Sequence, residues 1–161
     1  MALSIFKYFF ATKIHLFDVA VDNETFSESS LFTAGTEPKT TVIDGFTCGF
    51  SICFDLRFPQ LYQFYRQQEC HLLFAPSSFT ASTGKLHWHA LCRARAIETQ
   101  SVMIAPNQVG IGSNHTKTYG HSLVVDCLGN IVCEANNKDC CVITTTIKKQ
   151  HINSVRERFT L

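Results

Sequence analysis

The sequence predicts an α/β fold, a sheet containing parallel strands with helices packed on it, and three features point there. From residue 40 onward, apolar runs of strand length alternate with segments whose apolar residues recur at helical spacing. The order strand, helix, strand over 46–75 requires a crossover, the connection that joins parallel strands. Composition agrees: 161 residues, 45% hydrophobic and 17% charged, suffice for one domain with its own core and exclude disordered and fibrous classes.

Residues 13–18 alternate, with Ile14 and Leu16 facing one way and Lys13 and His15 the other, as at a strand end or the loop just beyond it. The segment 19–38, with Glu28, Gly35 and Pro38, is polar and turn-rich and reads as a long surface loop; loops of that length inside a domain usually carry function. Strands over 41–43 and 46–52 flank Asp44-Gly45, a dipeptide suited to a two-residue hairpin turn. A helix follows over 59–68, where Leu61, Phe64 and Tyr65 share a face, then a buried strand over 71–75. Residues 76–84 form a loop at a strand's C-terminal edge, the place where open α/β sheets hold ligands. The next helix runs over 86–99, with Leu91, Ala94 and Ile97 apolar and Arg95 and Glu98 spaced as a surface or helix-internal ion pair. A strand over 101–106, a polar loop over 107–118, a hairpin of 122–126 with 131–134, a further strand over 140–147 and a helix over 148–158 complete the chain.

A net charge of +1 with scattered Lys and Arg residues excludes a nucleic-acid-binding field, and no apolar run is long enough to span a bilayer. The apolar segment 1–12 has no basic start and is interrupted by Lys7, unlike a secretory signal. Eight cysteines are spread through apolar segments with no C-x-x-C, which favours reduced thiols of a cytoplasmic protein over disulfides or zinc. The sequons at Asn23 and Asn114 then carry no weight. His87, His89 and His121 fit no standard zinc spacing, so neither metal nor cofactor is expected, and His121 reads as a hydrogen-bonding residue at a loop-to-strand junction.

Cys53 stands where a buried strand hands over to a helix, so that free amides and a nearby cation favour its thiolate. The alternative is a small buried hydrophobe. Its surroundings raise the first reading: the sequence turns polar at Asp55 and Arg57, the Phe54 amide is free to bind an oxyanion, and Lys13 and Glu28 precede it on loops. Phe79, Thr83 and Trp88 are candidates for a pocket wall beside Cys53, with core or loop packing the alternative.

Taken together, 13–18, Glu28 with Gly35, Ile52-Cys53-Phe54-Asp55-Leu56-Arg57-Phe58-Pro59, Thr83-Gly84 with His87-Trp88, Arg93-Ala94-Arg95-Ala96-Ile97-Glu98, and 119–126 resemble the nitrilase (carbon-nitrogen hydrolase) superfamily, most closely its Nit-type amidases. The resemblance implies a nitrilase-type α-β-β-α sandwich and a Glu-Lys-Cys triad with a supporting glutamate. Cys53 would be the nucleophile, Lys13 the oxyanion-stabilising cation and Glu28 the supporting carboxylate. It also implies hydrolysis of a small linear amide, as in deaminated glutathione amidases, to acid and ammonia through a thioester. The triad's first glutamate belongs to the family's N-terminal third, and no residue of 1–12 supplies it. The expectation is therefore one partial domain over 1–161, divergent over 1–12 and family-like over 13–161, lacking that N-terminal third and the C-terminal tail that helps complete relatives to form homo-oligomers. Where relatives often carry glutamate, His89 follows Trp88. The competing expectation is an inactive remnant that serves as an interaction module for a complete relative.

Overall fold

The computed structural model describes residues 10–21, 24–112 and 116–159. Residues 1–9, which hold most of the apolar start, and Asn23 and Asn114 of the sequons lie outside them. The expected loop over 19–38 contains a hairpin: β1 (Asp18–Val21) pairs antiparallel with β2 (Glu24–Ser27), and a single 3₁₀ turn, Glu28–Ser30, follows. Both strands are four residues long and bury only one side, where Val19, Val21 and Phe26 are half-covered. So short and polar a pair leaves little periodic signal.

The main sheet begins with β3 (Lys39–Ile43) and β4 (Phe46–Phe50), antiparallel about Asp44-Gly45, whose φ values of 46° and 77° are those of a two-residue primed turn. Between β4 and α1 (Pro59–Gln67) comes another 3₁₀ turn, Cys53–Arg57, so Cys53 opens a tight turn and not the helix itself. Then follow β5 (Leu72–Phe74), α2 (Ala81–Thr99) and β6 (Val102–Ala105). As the crossover order predicts, β4, β5 and β6 run parallel. The expected loop over 107–118 carries a second small hairpin, β7 (Val109–Ile111) with β8 (Lys117–Tyr119). Next, β9 (Leu123–Val125) pairs antiparallel with β6, and β10 (Ile131–Glu134) with β9, giving the order β10-β9-β6-β5-β4-β3. Residues 140–147 join no ladder: their alternation is present, but Val142 is exposed and Ile147 alone among their apolar residues packs on the sheet cluster. The chain closes with α3 (Lys149–Arg158).

One sheet face is sealed by α1 and α2, which bury Tyr62, Tyr65, Trp88, Cys92 and Ala96 against Leu73, Met103 and Val125. On the other face Ile152 and Val155 of α3 cover Cys48, Leu72, Val102 and Val124. Helix α2 starts at Ala81, earlier than its apolar periodicity indicates, because the Thr80 hydroxyl caps it by accepting the Thr83 N–H at 3.3 Å. Its first turns are polar but not free: a Cβ at Gly84 would lie 2.3 Å from the Tyr119 ring, so only glycine lets β8 approach there. Further along, Arg95 forms the expected bond to Glu98 at 2.9 Å, yet it is buried and also donates Nε to the Leu56 carbonyl at 2.8 Å. The pair thus tethers the Cys53 turn to α2. Cys48, Cys70, Cys92 and Cys127 are buried free thiols, whereas Cys140 and Cys141 are exposed. No helix among the described residues is long and apolar enough to cross a membrane.

Candidate active site

The C-terminal ends of β4, β5 and β6 open onto a cavity of about 890 Å³. Three loops that continue these strands form its floor: Ile52 to Phe54, Pro76 to Thr80 and Pro106 to Gln108. Backbone bonds stitch them in sequence. Cys53 N–H donates to Pro76 O at 3.0 Å, Ser77 N–H to Pro106 O at 2.9 Å and Gln108 N–H to Ser77 O at 2.9 Å. Asn107 locks the third loop, accepting the Phe79 N–H on Oδ1 at 3.0 Å and donating Nδ2 to Gly120 O at 2.6 Å.

Cys53 has φ of 49°, in the left-handed region that a residue with a Cβ enters at a cost of about 1–2 kcal/mol. That sharp bend puts its side chain on the cavity wall. Burial pushes the thiol pKa up, while a hydrogen bond from the Ser78 backbone and the charge of Lys13 pull against it, with a net rise. The Phe54 amide precedes the first bond of the turn, made by Asp55 N–H to Ile52 O at 3.1 Å, so it finds no acceptor within the turn.

Lys13 and Glu28 line the same cavity and form an ion pair, Nζ to Oε2. The same Glu28 oxygen accepts the Phe17 N–H at 2.7 Å, and Gly35 N–H donates to Lys13 O at 2.7 Å, so the Lys13 loop is held from two sides. What joins this loop to the Cys53 turn is Asp55. Its carboxylate, 1% exposed, accepts His15 N–H and Ile52 N–H at 2.8 and 2.9 Å, and Oδ1 lies 2.8 Å from His15 Nδ1. The His15 ring stacks on Phe58 with centroids 3.5 Å apart. The sequence shows Asp55 only as a polar residue where a strand would continue, and nothing local ties it to residues 40 positions away.

Phe79 and Thr83 are on the cavity wall, as is Phe54. Trp88 is not: fully buried, it lies behind Phe79 with ring centroids 5.0 Å apart and donates Nε1 to His121 O at 2.7 Å, so it supports the wall and does not form it. Arg57, which in the sequence shows only as a polar residue after the Cys53 strand, does line the cavity. Its guanidinium lies 5.7 and 5.5 Å from the Phe54 and Phe79 ring centroids and 3.3 Å from His87 Nδ1. Of the three histidines considered together, His87 stands with Arg57, whereas His89 and His121 meet elsewhere on Glu134.

Parallel strands ending beneath a cavity that gathers a cysteine, a lysine and a glutamate define an α/β protein with a cavity at the carboxyl edge of its sheet, the place where open α/β sheets hold ligands. Residues 11–157 match the carbon-nitrogen hydrolase family model, and the chain belongs to that family. It is 41% identical over 149 residues to a deaminated glutathione amidase of Synechocystis, covering 91% of this chain and 54% of that one. Against the omega-amidase NIT3 of Saccharomyces cerevisiae it is 36% identical, covering 90% and 50%. The crystal structure of S. cerevisiae Nit3, described as a member of branch 10 of the nitrilase superfamily, superposes with a TM-score of 0.81 at 32% identity, over 92% of this chain and 51% of that one. The nitrilase fold expected from the resemblance is therefore present, and the chain spans about half the length of these relatives.

Proposed function

We propose that the cavity hydrolyses a small linear amide to the corresponding acid and ammonia, with Cys53 as nucleophile. The observation that carries this reading is the convergence of Cys53, Lys13 and Glu28 on one wall, from three segments that two hydrogen-bonded hubs, Asp55 and Glu28, hold together. The Cys53 sulfur attacks the amide carbon, and the carbonyl oxygen becomes an oxyanion facing the Lys13 ammonium and the Phe54 amide. The C–N bond breaks, the leaving nitrogen takes up the proton given up by the thiol and departs as ammonia, and a thioester remains. Water then cleaves the thioester to release the acid and restore the thiol. Glu28 holds Lys13 in place through their ion pair.

A thiol whose pKa is raised by burial needs a base to take its proton. The family resemblance assigns that proton to a glutamate on the N-terminal side of the lysine. Among the described residues Glu28 is the single carboxylate on the cavity wall. Substrate selection follows from the remaining lining: aromatic rings of Phe17, Phe26 and Phe54 accept an aliphatic chain, and Arg57 suits a carboxylate at its far end. The relatives named for deaminated glutathione and omega-amides fit such a substrate.

Ammonia release from α-ketoglutaramate and from deaminated glutathione, measured beside Cys53→Ala, tests the proposal. A rate well above that of the variant supports it. Equal rates in both proteins overturn it and favour a non-catalytic interaction role.

A further inference from the structure

A second cluster of ligand-type side chains lies outside the cavity. His89 on α2, His121 just before β9 and Glu134 at the end of β10 bring one imidazole nitrogen each and a carboxylate oxygen within 4.8 Å of one another. None of the three lines the cavity. Both imidazoles address the same oxygen: His89 Nε2 lies 2.9 Å and His121 Nδ1 2.6 Å from Glu134 Oε1.

We propose that His89, His121 and Glu134 form a binding site for a divalent transition-metal ion of the zinc class. The donor set is two neutral nitrogens and one carboxylate, the composition of open zinc sites that leave a fourth position to water. Tetrahedral ligands at bond lengths of about 2.0–2.1 Å sit about 3.3 Å apart, and each nitrogen already lies within about 0.7 Å of that separation from the carboxylate oxygen, at 2.9 and 2.6 Å. Side-chain exposures of 31%, 24% and 30% leave the fourth position open to solvent. Imidazole donors select zinc, cobalt or nickel over magnesium and calcium, which prefer oxygen. On binding, the two N–H···O contacts give way to metal–nitrogen and metal–oxygen bonds. Each ring proton moves to the other ring nitrogen or, from an imidazolium, to water.

The backbones that carry the ligands are already held. His121 has φ of 58°; its carbonyl accepts the Trp88 indole N–H at 2.7 Å. Trp88, fully buried, is the neighbour of His89 and fixes that turn of α2. Glu134 is in register with Leu123 across the β9–β10 ladder. The Tyr119 ring lies against both imidazoles, with centroids 5.9 Å from His89 and 4.5 Å from His121. Such support around the ligands is what limits the reorganisation a metal has to drive. The spacing of the histidines in the sequence misses the site because its ligands are 13 and 45 positions from Glu134.

Titration of the full chain with Co²⁺, followed by displacement with Zn²⁺, tests this. The expected spectrum has the weak d–d bands of a nitrogen and oxygen set, disappears on Zn²⁺ addition, and is unchanged in Cys53→Ala. His89→Ala and Glu134→Gln each weaken Co²⁺ binding at least tenfold while their urea unfolding midpoints stay near the parent's. In the parent protein itself, Zn²⁺ shifts the imidazole NMR resonances of His89 and His121 before those of other histidines. Thiolate-to-cobalt charge transfer as the main absorption, or imidazole resonances of this pair that do not move, overturns the proposal.

Discussion

Two carboxylate–imidazole clusters in this molecule use similar chemistry to different ends. Asp55 is 1% exposed and takes the backbone N–H groups of His15, Ile52 and, at 3.5 Å, Ile14 besides the His15 ring. Glu134 is partly exposed, and its carboxylate oxygen takes two imidazoles, those of His89 and His121. A buried carboxylate whose partners are main-chain groups fixes the path of two chain segments, and removing it leaves those groups orphaned in a dry interior. An exposed one whose partners are side chains can exchange them for water or for an ion at small cost. The first cluster is therefore structural to the cavity, and the second is available for binding.

The largest effect expected is from Asp55→Ala. It strands the N–H groups of His15 and Ile52 and should destabilise the fold by about 2–5 kcal/mol in urea unfolding. A loss below 1 kcal/mol would break the contrast with Glu134. Lys13→Met comes next and separates positioning from chemistry. It should lower ammonia release by about 10²–10³-fold, as for loss of one oxyanion donor, while the unfolding midpoint changes little. A thermal shift in place of the rate loss would assign Lys13 to the scaffold.

His71 sharpens the comparison as a buried imidazole whose Nδ1 accepts the Thr47 backbone N–H at 3.0 Å. Burial, then the charges of Lys149 and Arg156, lower its pKa below the ordinary 6.5. The unfolded chain binds this proton more readily, so the stabilisation is complete above pH 6.5 and is lost as pH falls through 6.5 toward the folded value. Urea midpoints recorded from pH 8 downward should show that fall, and His71→Gln should flatten it. Smallest of all, Glu134→Gln without metal should cost no more than about 1 kcal/mol. A cost matching that of Asp55→Ala would show the two clusters to be alike.

Much of the molecule is legible in the residues themselves. Period-two and helical repeats mark β3 through β6, α1, the later part of α2 and α3, because a strand or helix that packs on a core must put its apolar residues on one face. Cys53 stands out where an apolar run gives way to Asp55 and Arg57, the segment holding Glu28 reads as a functional loop, and Lys13 opens a strand end or the loop just beyond it. The β1–β2 and β7–β8 hairpins escape, since strands of three or four residues at a cavity rim bury too little to impose a period. The strand expected over 140–147 fails for the converse reason: alternation without a paired edge leaves Val142 in solvent.

The sequence by itself thus determined the elements of the sheet, the order of their connections and the cysteine at the end of β4, because these depend on neighbours a few residues apart. The tertiary structure alone decided that Asp55 binds the Lys13 loop, that Arg57 enters the cavity while Trp88 stays behind its wall, and that His89 and His121 share Glu134. Those contacts span 40 residues for Asp55 with His15 and 45 for His89 with Glu134. No local pattern records them, because the sheet and its loops must form before the partners meet.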